Sequence, residues 1–85
     1  MEIHRSAHRH GIGDQEIRHA IEHPVVVADI DPDGDPPKLL AIGPDRAGNL
    51  LEVVVLTLPG DRLLVIHAMP LRRKYRGLLP GHRDD

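Results

Sequence analysis

Leu51-Glu52-Val53-Val54-Val55-Leu56-Thr57-Leu58-Pro59-Gly60-Asp61-Arg62-Leu63-Leu64-Val65-Ile66-His67-Ala68-Met69 decides the fold of this chain. Two apolar, β-branched runs flank Leu58-Pro59-Gly60-Asp61, which has proline and glycine where a type II turn wants them. The stretch therefore reads as a hairpin. Its first arm, Leu51–Leu58, is almost continuously apolar, as expected of a central strand covered on both faces. Its second arm, Arg62–Met69, carries a histidine near its end, and strict alternation places His67 on one face with Leu63, Val65 and Met69.

Working outward, Pro44-Asp45-Arg46-Ala47-Gly48-Asn49 is a turn preceded by a strand at Leu39–Ile42. Asp31–Pro37 (Asp-Pro-Asp-Gly-Asp-Pro-Pro) has no regular periodicity and forms an exposed hairpin loop after a first strand at Val25–Ala28. A helix is predicted over Asp14–His23. Ile17, Ala20 and Ile21 fall on one face, Gly13 stands at the N-cap, Glu16 at the N3 position of a capping box, and Pro24 ends it. Ile3–His10 reads as a short helix or an extended arm, broken at His10-Gly11. After Met69, Pro70 opens a last short helix with Leu71, Tyr75 and Leu78 along one side. The expectation is an α+β fold: two N-terminal helices packed on one face of a four-stranded antiparallel sheet, with a short C-terminal helix. One domain over 1–80 and a loose tail at 81–85 complete it.

Composition narrows the class. The 85 residues contain no Cys, Phe or Trp and a single Tyr, so the core is aliphatic and no disulfide framework exists. The apolar runs fall far short of the ~20 residues of a membrane span. The first residues carry three histidines and two arginines rather than an apolar signal region, so a cytoplasmic protein with no membrane partner is expected. Net charge is −2, too acidic for indiscriminate nucleic-acid binding, but the charge is segregated. Asp29, Asp31, Asp33 and Asp35 gather in mid-chain, whereas Arg62 to Arg83 holds six Lys/Arg and no carboxylate.

Two metal readings fail on their ligands. Asp29-Ile30-Asp31-Pro32-Asp33-Gly34 opens like a calcium loop, but the twelfth position, where a bidentate Glu is required, is Leu40. His19 and His23, and likewise His4 and His8, lie four apart, yet neither pair has a third ligand in an obvious pattern. The remaining chemistry lies at the end of the second hairpin arm. His67 is either a half-buried, inert histidine or a group that moves protons near neutral pH. Arg72, Arg73, Lys74 and Arg76 are either the solvated side of a helix or a phosphate-binding cluster. Tyr75 either stacks on an unpaired base or seals the core with Leu71. Arg46, in a turn, joins them only if that end of the sheet faces the same groove.

Three segments carry a family resemblance. Arg9-His10-Gly11-Ile12 leading into a helix ended by His23-Pro24, Ala41-Ile42-Gly43 before a turn and an apolar strand, and Val65-Ile66-His67-Ala68 followed by basic residues and Tyr75 together resemble BrnT-like toxins. These belong to the RelE/ParE-type superfamily of toxin–antitoxin systems, and the similarity spans most of residues 8–76. It implies the toxin component of a type II system: a small endoribonuclease needing no metal or cofactor, in which the RNA 2′-OH attacks the adjacent phosphate. It implies two partners, RNA (an mRNA, free or on the ribosome) and a cognate antitoxin. His67, Arg73 and Tyr75 are then the catalytic candidates, and Arg46, Arg72, Lys74 and Arg76 bind RNA. The chain departs from the family in three ways. Met69 stands where an arginine commonly follows the alanine, the usual strand before the first helix is reduced or missing, and the overall charge is acidic. The alternative is a non-catalytic protein-interaction module of the same fold, its acidic hairpin suited to a basic partner.

Overall fold

A computed structural model describes residues 1–81. Five strands form one sheet in the order β1-β5-β4-β3-β2: β1 Glu2–Ile3, β2 Val26–Asp31, β3 Lys38–Pro44, β4 Leu50–Leu58 and β5 Arg62–Pro70. The hairpin sequence lies at its centre. β4 pairs with β5 from Leu51↔Pro70 to Leu58↔Arg62 and with β3 from Pro44↔Leu50 to Lys38↔Leu56, and residues 51 to 55 are buried throughout. The connecting turn uses Gly60 at φ +77°, the left-handed position that suits glycine.

The sheet is mixed, which corrects the expected four-stranded antiparallel arrangement. Glu2 and Ile3 lie parallel to β5, opposite Leu64 and Val65, and the His4 amide donates to the Val65 carbonyl at 2.8 Å. Two residues are too few for any alternation to announce a strand, so only the topology reveals it. Nor are there two N-terminal helices. Arg5–His8 is a single 3-10 turn, its Ser6 hydroxyl donating to the Ile66 carbonyl at 2.8 Å, and Ala7 is fully buried beneath it. Pinned to β5 at both points, the segment has no room to propagate a longer helix.

The α-helix, α1 (Asp14–Glu22), matches its prediction closely, with Gly13 as N-cap and Ile17 and Ala20 buried. The expected capping box does not form: Glu16 turns outward and accepts from Arg46 instead. Helix and sheet approach so closely that a Cβ on Gly43 would stand 2.9 Å from the Ala20 carbonyl carbon and 3.1 Å from its Cα. Only glycine allows this contact.

The two faces of the sheet are covered by different parts of the chain, not by helices on one side. Ile17, Ala20 and Ala7 pack on Leu51, Val53, Val55, Val65 and Ala68. On the opposite face Leu71, Tyr75 and Leu79 close over Leu40, Ile42 and Val54. The covering segment after β5, expected as a short helix opened by Pro70, starts later and is of the 3-10 type. Arg73–Leu78 is a 3-10 helix without a side-chain cap, and it contains Gly77 and ends just before Pro80, conditions under which a short segment tightens to the 3-10 form. The tail expected at 81–85 lies, apart from Gly81, outside the described residues. Among those residues no helix is long and apolar enough to cross a membrane.

Candidate functional site

β5 is not a regular strand. Val54 faces His67 and Val55 faces Val65, so Ile66 is an extra residue, a β-bulge. The bulge changes which side chains share a face. Leu63, Val65 and Ala68 pack with α1, whereas Ile66 packs on the opposite side. His67, paired with Val54 of that opposite side, leaves the face of Leu63 and Val65 that strict alternation gave it. A side chain that would have entered the helix-side core instead meets Glu52.

Among the described residues Glu52 is the one charged residue of the core, its side chain fully buried on β4. Its two oxygens accept five contacts. The Arg72 amide donates to Oε1 at 2.8 Å, Arg72 Nε to Oε1 at 3.0 Å and to Oε2 at 2.9 Å, Arg72 Nη2 to Oε2 at 2.6 Å, and His67 Nε2 to Oε2 at 3.0 Å. Burial pushes the Glu52 carboxyl upward, but donation from the Arg72 side chain, then from its backbone and from His67, outweighs it. The net pKa lies below the ordinary 4.5. In return the hydrogen bonds that Arg72 donates to Glu52 hold its guanidinium above its usual value. The carboxylate is thus ionised and saturated with donors, as a buried charge must be.

Two consequences concern His67. Because a carboxylate only accepts, Nε2 carries the proton, and the lone pair of the neutral ring sits on Nδ1. The side chain is 25% exposed, enough for contact with a ligand while the Glu52 bond fixes its orientation. The second consequence comes from the start of the chain. His10, exposed, lies with its ring centroid 5.5 Å from that of His67 at an interplanar angle of 77°, edge to face.

The other sequence candidates separate into two groups. Arg72 joins the cluster, but its fork is occupied by Glu52 and its guanidinium carbon stands 5.6 Å from the Tyr75 ring centroid. Tyr75 is half-buried against the second core, with Lys74 Nζ 4.8 Å from its centroid. Arg73, Lys74 and Arg76 are exposed beside it on the same 3-10 segment and form no ion pair among the described residues. Arg46 does not join them. Its Nη2 and Nε bind Glu16 of α1 at 2.6 and 2.8 Å, in a shallow depression lined with Asp45 and Ala47 on the helix side of the sheet.

Three other described histidines are occupied locally. His19 Nδ1 donates to the Pro44 carbonyl and His23 Nδ1 to the His19 carbonyl, their rings stacked at 4.3 Å. His8 bridges the Ile12 carbonyl and Asp14. Among the described residues no three His, Asp or Glu side chains converge on a possible metal position.

Sequence reasoning missed Glu52 and His10. For Glu52 a signal was present: a single carboxylate inside an otherwise apolar strand must have partners, because a lone buried charge is too costly. For His10 there was none, since only the docking of the N-terminal turn on β5 brings it near His67. No family model, no curated protein and no solved structure matches this chain.

Proposed function

We propose that this domain is a toxin-type endoribonuclease that cleaves RNA by transesterification without a metal and is neutralised by an antitoxin. One observation carries the reading: a partly exposed histidine, held in a fixed tautomer by a buried carboxylate, stands beside a segment bearing three exposed cations. The resemblance of residues 8–76 to BrnT-like toxins points the same way. RNA carries its own nucleophile, so the protein needs a proton acceptor and cations that stabilise the dianionic phosphorane. His67 Nδ1 is the acceptor. Arg73 supplies charge at the phosphate, and Lys74 and Arg76 hold the flanking backbone. Arg72 acts through Glu52, positioning His67 rather than binding RNA, and Tyr75 shapes the surface on which these cations stand.

The test uses single-stranded RNA and purified protein in excess chelator. Products ending in 2′,3′-cyclic phosphate are expected, with cleavage lost in His67→Ala and reduced in Arg73→Ala. A positioned base contributes roughly 10²–10⁴-fold to rate. Absence of cleavage together with absence of growth arrest on expression refutes the proposal.

The second reading, a binding module without catalysis, is favoured by β2. This edge strand exposes Val27 and Ile30, with exposed Val25 just before it, beside Asp29 and Asp31, a surface suited to an apolar and basic partner segment. Met69 in place of the family's arginine also favours it. Partner binding and phenotype that both survive His67→Ala with Arg73→Ala distinguish this reading from the first.

A further inference from the structure

We infer that His10 is the second proton-transfer group of this site, acting as general acid opposite His67 as general base; the inference rests on the ribonuclease reading above. His67 and His10 come from opposite ends of the chain, fifty-seven positions apart in sequence (67 less 10), and meet edge to face at 5.5 Å. The N-terminal loop does not need a histidine there for packing: His10 is exposed and makes no side-chain hydrogen bond among the described residues. His4, His8, His19 and His23, by contrast, each have a hydrogen-bonding task.

The two rings differ in environment as an acid and a base should. His67 is faced by Glu52 from β4, by Arg72 from the segment after β5 and by His10 from the N-terminal loop. Its orientation is fixed, and its free nitrogen is the basic one. Among the described residues His10 has no carboxylate partner, and its exposed ring can turn toward a leaving group. General acid-base cleavage needs two proton-transfer groups within reach of one phosphate, and the edge-to-face contact places two imidazoles side by side.

In the reaction His67 Nδ1 takes the proton of the 2′-OH as the 2′-oxygen forms its bond to phosphorus. The P–O5′ bond breaks, and His10 gives its proton to the departing 5′-oxygen. The products are a 2′,3′-cyclic phosphate and a 5′-hydroxyl. His67 ends with one proton more and His10 with one fewer, so the net charge of the pair is unchanged.

The experiment compares single-turnover cleavage of an ordinary RNA oligonucleotide with that of the same strand bearing a bridging 5′-sulfur at the scissile position. Sulfur leaves as a thiolate and needs no proton. His10→Ala and His10→Gln should lose about 10²–10³-fold on ordinary RNA, within the usual range for one positioned acid, and recover to within a few-fold of wild type on the sulfur substrate. His67→Ala should remain slow on both. Circular dichroism confirms that the variants fold. If wild type cleaves but the His10 variants are unimpaired, or are impaired equally on both substrates, His10 is not the acid and the ribonuclease reading survives. If wild type cleaves neither strand, both fall.

Discussion

Replacing Glu52 with Gln keeps the size and shape of the side chain and removes its charge and one acceptor. If the amide oxygen takes the place of Oε1, the Arg72 backbone amide keeps its bond. The new NH2 group then faces Arg72 Nη2 at 2.6 Å, Arg72 Nε at 2.9 Å and His67 Nε2 at 3.0 Å, three donors in front of a donor. The flipped amide is no better, since it opposes the Arg72 amide and Nε at 2.8 and 3.0 Å. A charge-assisted hydrogen bond is worth about 1.5–3 kcal/mol, so three lost contacts set a ceiling of roughly 5–9 kcal/mol. Two escapes lower it. The Arg72 side chain is 42% exposed and recovers water, and His67 can shift its proton to Nδ1 and accept from the amide. About 2 kcal/mol of destabilisation remains, mostly from the imperfectly paired buried amide. For a domain of this size that lowers Tm by roughly 8–16 °C. Urea unfolding followed by circular dichroism at neutral pH should show a lower midpoint with unchanged slope. A change below about 0.5 kcal/mol would mean that Glu52 and its partners are not coupled in solution, and the account of the site would fail.

Three further outcomes follow from the same contacts. Because the Glu52 pKa is lowered on folding, its contribution to stability is fully present above the unfolded value near 4.5 and is lost as pH falls through the folded one. An acid titration of unfolding free energy should therefore drop below about pH 4.5 in wild type and drop less in Glu52→Gln. Gly43→Ala should destabilise by about 3 kcal/mol or more, because the methyl meets the backbone of Ala20; Ala20→Gly, which leaves that backbone in place, should give no rescue in thermal melts. Arg46→Ala breaks an exposed pair with Glu16 that includes neither His67 nor His10, so RNA cleavage should stay within a few-fold of wild type, and a large loss would return Arg46 to the RNA surface.

Most of the sheet was legible because its strands are long enough to show a pattern. Predicted strands at Leu39–Ile42, Leu51–Leu58 and Arg62–Met69 are seen at Lys38–Pro44, Leu50–Leu58 and Arg62–Pro70. The helix was legible from the spacing of Ile17, Ala20 and Ile21 and from its flanking Gly13 and Pro24. What stayed hidden depends on contacts between distant segments. The parallel strand is only Glu2–Ile3, and its partners lie some sixty residues away. The bulge at Ile66 is invisible to alternation, and that one residue decides which face His67 joins. At the site, the histidine and the basic segment could be located from sequence, but not that Arg72 is spent on a buried carboxylate while its neighbours remain exposed.

Stability does not explain why a carboxylate stands at position 52. Leu51, Val53, Val54 and Val55 around it are aliphatic, and both faces of β4 are covered, so an apolar residue would complete the core without desolvating an ion. Removing one member of a buried charged cluster strands the others, but replacing the cluster by apolar side chains of similar volume is often neutral or stabilising. Glu52→Leu combined with His67→Leu and Arg72→Met should therefore unfold at a urea concentration equal to or above that of wild type, unlike Glu52→Gln alone, which unfolds earlier. Cleavage by the triple variant should be abolished even though the fold is intact. If the triple variant is instead less stable than Glu52→Gln, the cluster is part of what holds the C-terminal segment on the sheet, and its presence needs no function to explain it. If it is as stable as wild type, stability does not account for Glu52, and the task left to it is the alignment of His67.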